Sequence, residues 1–125
     1  PTGLSYRIAQ ATELNATRVQ KEEFFPYLEH AARMNPRTFL KILQHAANHD
    51  AREILSTIQV PTLVVAGDVD GFTPGYLSEE MAESIPAGEL FRLAQGSHTA
   101  PIEFPEAVNA RLRRFMDTHG LLSPL

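Results

Sequence analysis

Cysteine is absent from this 125-residue chain, so disulfides, thiolate nucleophiles and thiolate metal sites are excluded. The same absence leaves the redox compartment illegible. An excess of positive charge is also missing. Eleven Lys and Arg face fifteen Asp and Glu, a formal net charge of -4, which argues against a nucleic-acid surface. No apolar run approaches the roughly 18 residues of a membrane span. Pro1, Thr2 and Gly3 open the chain with neither an initiator Met nor a signal-like apolar stretch. The expectation is therefore a piece of a longer protein, with a cytoplasmic location as the default. Neither an internal repeat nor a low-complexity segment is visible. What remains is ordinary for a globular chain: 43% hydrophobic residues, and enough length for one modest domain with a core.

The chain divides near residue 58. Residues 1–58 have helical periodicity and little strand character, although the first fifteen show no clear period. Asn35 and Pro36 read as an N-cap followed by proline at the first helical position. Phe39, Leu43 and Ala46, with Leu40 and Ala47 beside them, then make one apolar face. Upstream, Val19, Phe24, Leu28 and Ala31 suggest another helix, which Pro26 should kink or interrupt. Asp50 with Glu53 three residues later resembles a capping box for a short helix through Leu55.

Residues 59–125 change character. Thr62 to Ala66 is a continuous apolar run between Pro61 and Gly67, the pattern of a strand buried on both faces in a parallel sheet. Thr73 and Pro74 look like a helix start, with Leu77, Met81 and Ile85 on one face. Glu89 to Leu93 reads as a second strand. Pro105 opens a last helix with Val108, Leu112, Phe115 and Met116 inward and Gly120 after its end. The order strand, helix, strand, helix predicts an α/β unit of two parallel strands with flanking helices, connected right-handedly.

Ligands in open α/β sheets sit beyond the carboxyl ends of the strands. The first strand is followed there by Gly67, Asp68, Val69, Asp70, Gly71, Phe72, Thr73 and Pro74. The second is followed by Gly96, Ser97, His98, Thr99, Ala100, Pro101, Ile102 and Glu103. An Asp and a His should thus leave neighbouring loops on one sheet edge. A carboxylate beside an imidazole fixes its tautomer and stabilises the imidazolium, the work of two members of a nucleophile–His–acid triad.

The stretch from Val60 to Asp70, with the acid three residues after Gly67, resembles the penultimate strand of α/β-hydrolases. Gly96, Ser97 and His98, followed by Ile102, Glu103, Pro105 and Glu106, resemble that family's histidine loop and last helix. The family's order, nucleophile then acid then His, also agrees. The resemblance covers roughly residues 51–118. It implies a C-terminal part of an α/β-hydrolase core over residues 59–125, with a helical cap or lid remnant over residues 1–58. It further implies Asp70 and His98 as catalytic acid and base, no cofactor, no metal and a small-molecule substrate, most simply an ester. An upstream Asp nucleophile would shift the chemistry toward epoxides or haloalkanes. Thioesterases, amidases and C–C bond hydrolases also occur in the family, as do non-catalytic members that bind ligands or signal. The nucleophile is missing: no Gly-x-Ser-x-Gly exists here, and Gly3, Leu4, Ser5, Tyr6 and Arg7 lack the second glycine. The chain alone is therefore expected to be inactive, and to self-associate through an unpaired strand edge or through cap helices.

Each residue also has a plainer reading. His98 could be a surface-loop histidine. Asp70 could be a turn former or the N-terminal acid of the next helix. Asp68 is the second candidate for the acid, better explained as a turn residue. Glu103 is expected to satisfy backbone donors near the last helix. Phe72 could line a substrate pocket or pack beneath its loop. His45 and His49 share a helical face, but without His-Glu-x-x-His or a third ligand they read as solvated. Ser97 and Thr99 read as loop hydrogen-bonders. A small stand-alone binding domain is the remaining alternative to a hydrolase.

Overall fold

The computed structural model describes residues 6–7, 14–15 and 17–122. Within them the elements follow the order α1 (Lys21–Ala32), α2 (Pro36–Ala47), α3 (Arg52–Leu55), β1 (Thr62–Gly67), α4 (Gly75–Ser84), β2 (Gly88–Leu93), α5 (Ala100–Glu103) and α6 (Pro105–Thr118). The two strands pair in parallel from Thr62 opposite Gly88 to Gly67 opposite Leu93. Parallel neighbours need a crossover rather than a hairpin, and α4 supplies it, packing against both strands. The two strands therefore end level, and the loops after them leave the same edge.

Two packing centres hold the chain. Leu14, Val19, Phe24 and Leu28 bury one another, with Tyr6 partly covered beside them. Phe24 is fully enclosed, contributing about 1.5–3 kcal/mol by removal from water. A second set of buried residues lies in and around the sheet: Val64, Ala66, Ala82, Ile85, Leu93, Ala100 and Phe115. The first is tied to the second at Asn15, whose backbone N–H donates to Glu103 Oε1 at 2.7 Å and whose Nδ2 donates to Gln95 O at 2.9 Å. The Arg18 guanidinium also lies 4.4 Å from the centre of the Phe104 ring.

Local rules explain two of the helix ends. Asn35 Oδ1 accepts from the N–H groups of Arg37 and Thr38, capping α2 as its sequence predicts. At the end of α6, Gly120 takes φ +65°, with Gly120 N donating to Asp117 O and Leu121 N to Met116 O. That is a Schellman ending, in which glycine accepts the left-handed conformation at no side-chain cost.

Several expectations are corrected. Pro26 does not interrupt α1, which runs through it. A proline inside a helix forfeits one backbone bond, and the buried Phe24 and Leu28 on either side hold the helix together regardless. Asp50 and Glu53 form no capping box: Ala51 is the N-cap, and Asp50 Oδ1 accepts from Arg52 N at 3.0 Å as a local turn. β1 is buried on one face only. Val64 and Ala66 are covered, while Val65 is 36% exposed. Met81 and Leu112 also face outward, and the inward residues of their helices are Ala82 and Phe115. The apolar face expected of α2 is not core: Phe39, Leu40, Ala46 and Ala47 are exposed, Leu43 is half-buried and no residue of the helix is buried. Among the described residues, no helix is long and apolar enough to cross a membrane.

Candidate active site

The site begins with two glycine-bounded loops touching backbone to backbone. Asp68 N donates to Leu93 O at 3.1 Å, and Val69 N donates to Gly96 O at 2.9 Å. A Cβ on Gly67 would lie 2.3 Å from Gly96 O and 2.7 Å from Ser97 O, so only glycine permits this approach. The loop after β1 is thereby pressed onto the loop after β2.

Asp70 makes two sets of contacts, one with each oxygen. Oδ1 accepts from Phe72 N at 2.8 Å and Thr73 N at 2.9 Å, an Asx turn that shapes the loop. Oδ2 accepts from the Thr73 hydroxyl at 2.6 Å and stands 3.1 Å from His98 Nδ1. Thr73 Oγ1 is itself 3.4 Å from that nitrogen. Burial pushes the Asp70 carboxyl up. The bonds from the Thr73 hydroxyl and N–H, from His98 and from Phe72 N outweigh it and hold the group below its usual range. Asp70 is therefore ionised at neutral pH. A carboxylate there selects the Nδ1–H form of a neutral imidazole and leaves Nε2 able to accept a proton.

Asp68 is otherwise engaged. Arg92 Nη2 is 2.7 Å from its Oδ1, and the same guanidinium pairs with Glu79. Asp68 is thus held in an ion pair with Arg92, and Asp70 is the acid that reaches His98. The Phe72 ring centroid lies 4.9 Å from that of His98, tilted by 53°. Phe72 is itself 52% exposed, so it flanks the imidazole rather than filling a core.

Behind His98, Glu103 is buried and accepts four bonds. Ser97 N donates to Oε2 at 2.7 Å; Asn15 N at 2.7 Å, Thr99 Oγ1 at 3.0 Å and Ser97 Oγ donate to Oε1. Burial pushes this carboxyl up, and those bonds bring it below the usual range. The expected role toward backbone donors is met, and side-chain donors from both neighbours of His98 are added to it.

The described residues contain no group of three His, Cys, Asp or Glu suited to a metal ion. His45 and His49 lie on the exposed end of α2 and beyond it, far in sequence from the site. Ser5 lies outside the described residues. A cleft of about 340 Å³ lined by Glu89, Arg111, Arg114 and Thr118 is at the opposite end of β2 from His98.

Thr73, Asn15 and Gln95 escaped sequence reasoning. An Asp followed three residues later by Thr is a turn signal that could have revealed Thr73. No local pattern points to the other two.

Two parallel strands with flanking helices are also found in known α/β-hydrolases that this chain resembles. The chain is 36% identical over 58 residues to BpoC of Mycobacterium tuberculosis, named as a non-heme bromoperoxidase; the match takes in 46% of this chain and 22% of that protein. It is 36% identical over 61 residues to RutD of Azorhizobium caulinodans, named as a carbamate hydrolase, covering 49% of this chain and 23% of the relative. Among solved structures, a thermophilic esterase from Thermogutta terrifontis superposes with a TM-score of 0.53 at 31% identity, over 56% of this chain and 26% of that one. Est816, described as an N-acyl homoserine lactone degrading enzyme, superposes with a TM-score of 0.63 at 29% identity, over 90% of this chain and 46% of its own. No family model matches the chain. The chain shares the α/β-hydrolase fold with the parts of these proteins that it matches, and it spans between 22% and 46% of their lengths.

Proposed function

We propose that this chain supplies the acid and the base of a serine-type hydrolase that cleaves an ester-like bond, with the nucleophile on another part of the whole protein. The observation carrying this is the 3.1 Å approach of Asp70 Oδ2 to His98 Nδ1 between loops that leave one sheet edge. An incoming serine hydroxyl would attack the substrate carbonyl and pass its proton to His98 Nε2. His98 would return that proton to the leaving alkoxide and then activate water against the acyl intermediate. Asp70 would hold the ring and stabilise the imidazolium. Phe72, beside the imidazole, would line the substrate's entry. Ester-like substrates are favoured because both solved relatives are described as acting on ester or lactone chemistry. Residues 1–58 read as the end of a cap, supported by the extent of the Est816 superposition.

The test uses p-nitrophenyl acetate and butyrate. In the full-length protein, His98→Ala lowers kcat by about 10⁴-fold or more, and Asp70→Asn by about 10²–10⁴-fold. The 125-residue chain alone should match buffer. Undiminished turnover by full-length His98→Ala would overturn the triad. Turnover by the isolated chain that both substitutions abolish would overturn the assignment of the nucleophile to another part.

A further inference from the structure

We propose that Glu103 is a positioning residue for His98, acting through the two residues that flank it. This rests on the reading of Asp70 and His98 as an acid–base pair, and extends it to what keeps that pair aligned.

The His98 side chain is 36% exposed. The Asp70 side chain is 9% exposed, so the contact is open to solvent on its His98 side only; one such contact leaves the imidazole's own torsional freedom to be limited elsewhere. The alignment must be imposed by the backbone that carries the ring. That backbone is held from two sides. On the acid side, Val69 N reaches Gly96 O. On the other, three of the four donors to Glu103 come from Ser97 and Thr99, the residues immediately before and after His98.

A buried carboxylate is an expensive way to satisfy one backbone N–H. Its cost is offset only when several donors converge on it. Ionised, it accepts at both oxygens and offers no donor, so Ser97 N, Ser97 Oγ and Thr99 Oγ1 can all point inward. A glutamine would place an NH₂ against one of these donors. The loop also carries strain: Gln95 sits at φ +63°, where side chains are disfavoured. Asn15 bonds both Gln95 O and Glu103 Oε1, so the segment at Asn15 clamps the loop through the same carboxylate. With the main chain fixed at 97 and 99, His98 keeps only its two side-chain torsions, and Asp70 selects among their few staggered states.

The experiment reads His98 directly and requires no turnover. Long-range ¹H–¹⁵N correlation of the uniformly labelled chain, at a pH where the imidazole is neutral, gives the ratio of Nδ1–H to Nε2–H tautomer. The expected result is a majority of Nδ1–H in the wild type. Glu103→Gln should lower the ratio at least 3-fold, toward that of Asp70→Asn, while Glu103→Asp should recover part of it. Ser97→Ala, which keeps the carboxylate and removes one donor, should give an intermediate fall and serves if Glu103→Gln does not fold. An unchanged ratio in folded Glu103→Gln, or in Ser97→Ala if that is the variant that folds, overturns the proposal. If Asp70→Asn also leaves the ratio unchanged, the pair itself fails and the proposal fails with it. Absence of ester hydrolysis in the full-length protein would refute the proposed reaction without touching this readout.

Discussion

Replacing Gly67 with alanine tests the joint on which the site depends. The new Cβ would stand 2.3 Å from Gly96 O, 2.5 Å from Gly96 C and 2.7 Å from Ser97 O, all backbone atoms of the His98 loop. Ordinary contact begins at 3.4 Å, so the loops must part by about 1.1 Å. The Val69 N to Gly96 O bond, now 2.9 Å, would then approach about 4 Å and be lost. Overpacking of this kind costs about 1–3 kcal/mol, and the bond adds about 0.5–1.5 kcal/mol. A total near 2–4 kcal/mol, with a denaturant slope of about 2 kcal/mol per molar, lowers the urea midpoint by roughly 1–2 M. Gly75→Ala is the internal control. Its Cβ would meet only Gly67 O at 3.9 Å, at the first residue of α4. Removing a helical glycine there should stabilise by about 0.5–1 kcal/mol. Circular dichroism through a urea series measures both variants. A Gly67→Ala midpoint within about 0.2 M of wild type, or equal losses in the two variants, would refute the reasoning from backbone contact.

Three further outcomes are expected. The folded-state carboxyls of Asp70 and Glu103 lie below their usual range, so the stability they add is present above that range and is lost as pH falls from it through the lowered folded-state values. Urea midpoints taken from about pH 6 to about pH 3 should fall less steeply in Asp70→Asn than in wild type, and an identical slope contradicts the assignment. Gln95→Gly relieves a left-handed residue and should raise the midpoint or leave it unchanged, by roughly 0–1 kcal/mol; a clear loss would show that the side-chain contact with Arg18 outweighs the strain. Sedimentation velocity at rising concentration should show dimers or larger species, because Phe39, Leu40 and Ile42 are exposed on α2; a strict monomer counts against it.

What the sequence disclosed, and what it withheld, follows from the range of each interaction. The apolar run from Thr62 to Ala66 between Pro61 and Gly67 announces β1, and the loops after parallel strands leave one edge, so the meeting of Asp70 and His98 was legible. Periodicity identifies which side of a helix is apolar but not whether anything covers it. That is why Met81, Leu112 and the α2 stripe were expected inside and lie outside. Capping boxes are ambiguous for a related reason: Asp50 found a nearer donor in Arg52 N, and Ala51 became the N-cap. The bond from Asn15 to Glu103 joins positions 88 apart, and nothing near either residue signals it.

That same separation has a kinetic consequence. Asp70 and His98 are 28 positions apart, so the loop that must close to bring them together is short. Closing the 88-position loop to Asn15 costs about 1 kcal/mol more in chain entropy. Assembly should accordingly be ordered, with the sheet and the Asp70–His98 contact forming first and the Asn15 segment docking onto a finished surface. During synthesis Asn15 emerges long before Glu103 exists and must wait for it. In the folded molecule the sequence of events runs in reverse: the amide of Asn15 should exchange with solvent deuterium well ahead of those in β1 and β2.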